Sequence, residues 1–246
     1  MLSFILSLTR LLNHYFAAPL VPFLTRLGIH FSHPHAPLRD NTLTLELLVM
    51  LLLLLFFVVA RLTLSVDKPG TVQHIAEIIN EFVSNQGEAI IGHGYEPHVA
   101  FATTVFLFIV ICNCFGLLPG LETPTANPVV PLGVALLTFT YYNWNGVRAQ
   151  GLWGYIKHFA GPIWWVAPLL FPIEIISHLA RIMSLTIRLY ANMFASDLLT
   201  LVFFSMVPLG IPVIFLGLHF GVALIQAYVF MLLTLIYLSQ AVAQEH

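Results

Sequence analysis

Charge is the scarcest property of this sequence, and its scarcity excludes most water-soluble folds. Asp, Glu, Lys and Arg make up 8% of the 246 residues, hydrophobic residues make up 59%, and the net charge is −2. Soluble domains carry roughly a quarter charged residues, so this chain cannot cover itself in a solvated surface. With 9 basic residues against 11 acidic ones, it offers no cationic stripe for a nucleic-acid backbone. Cysteine is reduced to Cys112 and Cys114, two positions apart in an apolar run. On a helix they point ~200° apart, so they read as small core residues rather than a disulfide. An internal repeat, the mark of many transporters, is also missing. Finally, no glycine or proline interrupts the stretch between Pro172 and Pro208.

What is present is hydrophobic length. The mean hydropathy of +0.92 marks an integral membrane protein, and the segment pattern predicts an all-α one. Residues 1–42 form an N-terminal segment at the membrane surface, and residues 43–246 form one membrane domain. In the first segment Arg10 breaks the apolar run, and Ala17-Ala18-Pro19 is a poor cleavage signal, so it reads as retained. His30, His33 and His35 are interleaved with Pro34 and Pro37 and read as a solvated loop, not a metal site. Neither a metal nor a cofactor is expected.

Three upright membrane helices are predicted, over Leu43–Val66, Pro97–Leu118 and Pro128–Asn145. Thr71–Glu88 reads as an amphipathic surface helix, because Val72, Ile75, Ile78, Ile79, Phe82 and Val83 recur at helical spacing among polar residues. The uninterrupted stretch after Pro172 is a helix of ~50 Å, and Val213–Ala243 is another of ~45 Å. Both exceed an upright crossing, so together they form a tilted, membrane-embedded hairpin. Trp153, Trp164 and Trp165 suit an interfacial anchor ahead of it. Basic residues cluster at Arg61–Lys68 and Arg148–Lys157, while the loop around Glu122 has none. The positive-inside rule therefore places Glu122 and the N-terminus outside, and Lys157 and the C-terminus in the cytoplasm.

The first long helix carries Arg188 at its centre. A charge at that depth costs at least ~2.5–3.5 kcal/mol, so it needs a partner, water or a task. Stepping ~100° per residue puts Glu174, Ser177, Arg181, Ser184, Asn192 and Ala195 within about 40° of Arg188. That face is polar or small throughout, which allows another helix to approach closely. Asp197 points to the opposite side. On the second long helix His219, Gln226, Tyr237 and Gln240 form a thin polar stripe.

Leu185 to Leu198, with Arg188, Asn192 and Asp197, resembles the arginine helix of subunit a of F-type ATP synthases. His219, Gln226 and the run Phe230-Met231-Leu232-Leu233-Thr234-Leu235-Ile236-Tyr237-Leu238-Ser239 agree with the carboxyl end of that family. The resemblance covers roughly residues 45–246. It implies an ion-conducting stator subunit, preferentially for protons, which itself hydrolyses nothing. The implied partners are a ring of c subunits, the b subunits of the peripheral stalk, the F1 sector indirectly, and membrane lipids; the implied location is a bacterial inner membrane.

The resemblance also distributes roles. Arg188 would hold a ring carboxylate ionised, with Asn192 as its polar neighbour. Asp197, His219, Gln226 and Asn113 would line an outer half-channel, and Glu174, Ser177 and His178 an inner one. Some members carry an acid three residues after this asparagine, and Gly116 stands there instead. Arg181 is expected to extend toward lipid head groups. Asp197 and His219, at similar distances from the turn at Pro208–Pro212, are expected to pair across the two long helices. Two other readings remain open on the sequence: a stand-alone secondary transporter whose anionic substrate binds Arg188, and a passive membrane scaffold.

Overall fold

The computed structural model describes residues 42–65, 70–117, 123–160, 167–206 and 211–242. The N-terminal segment, Lys68, Glu122, Trp164, Trp165 and the last four residues lie outside the described residues, as do the side chains of Trp153 and Lys157. Among the described residues the chain is six α-helices and one short 3-10 turn.

These are α1 (Thr42–Leu62), α2 (Thr71–Ile91), α3 (Glu96–Phe115), the turn Pro124–Ala126, α4 (Val129–Ala160), α5 (Ala167–Met206) and α6 (Ile211–Val242). Four of them, α1, α3, α5 and α6, are long and apolar enough to cross a membrane. α4 has the length, but Thr138, Thr140, Tyr141, Tyr142, Asn143 and Asn145 dilute its apolar content. It also runs past Asn145, where the sequence suggested an end. The amides of Asn143 and Asn145 donate to the carbonyls of Phe139 and Tyr141 one turn back, at 2.7 and 2.8 Å, so neither side chain competes with the helix. The break comes at Gly151, whose φ of +76° suits only glycine without strain.

α5 starts five residues ahead of Pro172, which sits in its second turn. A proline so near a helix start removes a single intrahelical hydrogen bond, and the helix continues.

α6 is the hub, packing against α2, α3, α4 and α5, while α1 lies outside against α2 and α3. The largest buried cluster joins Val105 and Ile109 of α3, Ala135 of α4, Leu185, Leu189 and Met193 of α5, and Ala227 and Phe230 of α6. Cys112 is buried with Val49, Leu53 and Leu107, and both cysteines are free thiols. α3 and α4 meet at one end of the bundle through the 116–128 connection. The C-terminal part of α5 and the N-terminal part of α6 lie at that same end, because Asp197 and His219 approach Gly116 and Thr123 there.

Candidate functional site

Arg188 is half-buried midway along α5. Its Nη2 donates to Ser184 Oγ at 3.3 Å, one turn back on the same face. Among the described residues no carboxylate lies within ion-pair distance of it. Ala191, Asn192 and Ala195 are exposed beside it, so the guanidinium looks out over an open strip of small residues. An ion pair within the chain, the simplest structural role for this arginine, is not formed with any described acid.

Two polar clusters lie on either side of it. The first is at the end of the bundle where α3, α4, α5 and α6 converge. The Asp197 carboxylate is 3.6 Å from His219 Nδ1, and Ser196 Oγ is 2.7 Å from the same nitrogen. His219 Nε2 lies 3.3 Å from the Asn113 backbone carbonyl. A carbonyl only accepts, so Nε2 carries a hydrogen and Nδ1 is the nitrogen free to gain or lose a proton. His219 is only 1% exposed, whereas the Asp197 side chain is 25% exposed, so the pair opens to solvent on the carboxylate side.

Asn113, predicted to line this region, acts as a brace. It is fully buried; Nδ2 donates to the Ala223 carbonyl at 3.3 Å, and Oδ1 accepts from Thr125 Oγ1 at 2.6 Å. The loop contributes two threonines that sequence reasoning missed. Thr123 and Thr125 flank Pro124 in a short turn, where no periodicity marks a facing direction. Ser196 was missed for a related reason: a serine beside the acid has no motif of its own.

Two turns further along α6, Gln226 is buried, and its Oε1 accepts from Asn192 Nδ2 at 2.8 Å. The stripe of α6 therefore meets the arginine face of α5 one turn from Arg188. Tyr237 and Gln240 do not join that meeting point.

The second cluster is toward the other end of α5. Glu174 Oε1 lies 3.6 Å from His178 Nε2 and 4.0 Å from Arg181 Nη2. His178 is buried, and its Nδ1 is 3.0 Å from the Tyr142 hydroxyl. Arg181, expected to reach for head groups, lies instead over the Tyr237 ring at 5.1 Å, where the ring face attracts the cation. Ser177 is half-buried on the same helix and makes no side-chain hydrogen bond among the described residues.

At ~1.5 Å per residue, Arg188 is ~15 Å from His178 and ~14 Å from Asp197 along the helix. Between the clusters the interior is dry: Leu189 and Met193 are 0% exposed and Phe230 is 1% exposed, packed on Ile109 and Ala135. Among the described residues no group of three His, Cys, Asp or Glu side chains lies close enough to hold a metal ion.

Comparison with known proteins bears on this arrangement. Residues 43–239 match the family described as ATP synthase A chain. The chain is 56% identical over 238 residues to "ATP synthase subunit a" of Koribacter versatilis, covering 97% of each chain. It is 47% identical over 219 residues to the protein of the same name from Solibacter usitatus, covering 89% of this chain and 94% of the relative. A Helicobacter hepaticus protein of that name is 37% identical over 206 residues, covering 82% and 90%.

Proposed function

The chain belongs to the ATP synthase A chain family, and from that membership we propose that it is the proton-conducting stator subunit of the membrane sector of a rotary ATP synthase. It works in a bacterial inner membrane. Its partners are a ring of small subunits, each bearing a carboxylic acid, and a peripheral stalk that holds it still.

The observation that carries this reading is the pair of polar clusters with the apolar layer of Leu189, Met193 and Phe230 between them and one cation on an open face. A proton cannot cross the hydrocarbon without groups or water to carry it, and a continuous polar channel would leak. Two half-paths that stop on either side of Arg188 leave the crossing to a mobile acid from outside the chain. Facing Arg188, that acid is held ionised, because an opposite charge within ~4–6 Å lowers a carboxyl pKa by ~1–3 units. Carried away into lipid, it must take up a proton to escape the cost of burying a charge. Rotation is then the only route between the two half-paths. Each proton crossing releases ~2.3 kcal/mol per 100 mV, which biases the direction.

Within this scheme Asp197 and His219 exchange protons with the outer water through His219 Nδ1, and Gln226 and Asn192 lead to Arg188. Glu174, Ser177 and His178 serve the cytoplasmic half-path. Family membership speaks against a stand-alone anion transporter.

The deciding experiment is Arg188→Ala in the assembled complex, which is expected to abolish proton-driven ATP synthesis, the forfeited pKa control alone being worth ~10–10³-fold. Arg188→Lys should fail as well, lacking the planar delocalised charge. ATP synthesis near the unmodified rate in Arg188→Ala membranes removes the gate assignment. For orientation, single cysteines at positions 122 and 157, in a background without Cys112 and Cys114, should label from opposite faces of sealed vesicles. Same-side labelling exchanges the inner and outer assignments.

A further inference from the structure

Thr123 makes two separate hydrogen bonds to one carboxylate. Its backbone N–H donates to Asp197 Oδ2 at 3.3 Å, and its Oγ1–H donates to Asp197 Oδ1 at 2.8 Å. It is 2% exposed, so the contact is shielded from solvent. The space for it comes from α3. A β-carbon built on Gly116 would overlap Thr123 Oγ1 and stand 3.0 Å from both Asp197 Oδ1 and His219 Cε1. Gly116 has φ −65°, a conformation open to any residue, so glycine is required there by space and not by backbone geometry.

We propose that Thr123 is a positioning residue for proton transfer: it grips the Asp197 carboxylate with two donors and aims Oδ1 at His219, and the grip closes only because Gly116 is bare. Neither Thr123 nor Gly116 has a role in the scheme above, and the inference rests on that scheme. The chemistry is directional. The carboxylate accepts both Thr123 hydrogens at once, one on each oxygen. The two bonds fix the carboxyl plane, and with it the approach of Oδ1 to His219 Nδ1. His219 is fixed in the complementary sense, since the Asn113 carbonyl keeps a hydrogen on Nε2 and leaves Nδ1 to exchange the proton. Thr123 thus holds Oδ1 on the side of His219 Nδ1.

Among the described residues, Thr123 from the turn, Gly116 from α3 and His219 from α6 lie against Asp197. Among the described residues, His219 is the titratable group turned toward it. Arg188 lies nine residues away on the other side of α5.

The test uses the whole complex in inverted vesicles, reading ATP-driven proton pumping as a function of pH, with subunit assembly measured in the same membranes. Thr123→Val removes the hydroxyl donor and keeps the shape. The acid limb of its pH profile should shift by about one pH unit, the size expected for losing one hydrogen bond to a charged group. Thr123→Ser should return the limb to within a few tenths of a unit of its original position. Gly116→Ala should slow pumping several-fold, and Thr123→Ala added to it should recover part of that loss by vacating the contested space. If Thr123→Val does not assemble, the comparison is read between Thr123→Ser and Thr123→Ala, and coincident limbs overturn the proposal. An unshifted limb in Thr123→Val, or a Gly116→Ala variant that pumps normally, overturns it directly. Arg188→Ala run in parallel separates the two ideas. If it pumps normally, the rotary reading itself falls. If it is inactive while Thr123→Val is unchanged, only the Thr123 assignment falls.

Discussion

The two polar clusters flanking Arg188 are built in different ways. The Asp197–His219 cluster draws on four segments and is closed by tertiary contacts; Asn113 and His219 are separated by more than a hundred residues yet touch. Its histidine is buried and held at both nitrogens. The Glu174–His178–Arg181 cluster is spelled along one helix at helical spacing, and its acid is 37% exposed. Its tertiary partners among the described residues include the aromatic side chains Phe139, Tyr142 and Tyr237. The closed cluster is preorganised, so small geometric changes there should be costly. The other is local to one helix with a partly exposed acid, so its charges are more screened and its acid more replaceable.

That contrast sets the size of each effect. The largest is expected at Asp197 and His219, where Asp197→Asn or His219→Ala should lower ATP-driven pumping by about tenfold, the equivalent of one pKa unit at the transfer site. Pairing by itself would make the two residues interchangeable, but the structure does not. In Asp197→His with His219→Asp, a carboxylate would face the Asn113 carbonyl, acceptor against acceptor, and an imidazole would face the two donors of Thr123. The exchange should therefore pump no faster than the slower single variant. Full recovery would show that the closed cluster is no more demanding than the open one.

A smaller effect is expected from the brace. Asn113→Leu strips the partner from Thr125 Oγ1 and from the Ala223 carbonyl, both at a buried site. Leaving such groups unsatisfied costs about 1–3 kcal/mol each, so the detergent-solubilised complex should lose thermal stability. Unchanged melting would mean that the cluster is not closed by these bonds.

The smallest effect belongs to Glu174. Glu174→Gln removes an acid, 37% exposed, from two loosely spaced pairs, each worth about 0–1 kcal/mol, so pumping should fall only about two- to threefold. That difference should narrow further as salt is raised, because screening acts on exposed charges. A tenfold, salt-insensitive loss would place Glu174 in a cluster as closed as the one around His219.

Much of this molecule was legible without coordinates. Apolar length and the absence of glycine and proline between Pro172 and Pro208 are local properties, and they fix a long helix whatever it packs against. The energetic isolation of Arg188 follows from its depth alone, and its company of Ser184, Asn192 and Ala195 follows from the helical period. What the sequence could not supply was rotation and approach. Periodicity says which residues share a face, yet not which neighbour that face meets, and a side chain's partner changes with a few tens of degrees of helix rotation. So Arg181 over Tyr237, His178 against Tyr142 and Asn192 on Gln226 were decided by packing. The grip of Thr123 on Asp197 lies further beyond reach, because a turn has no period to read, and the closeness of Gly116 exists only once α3, α5 and α6 have come together.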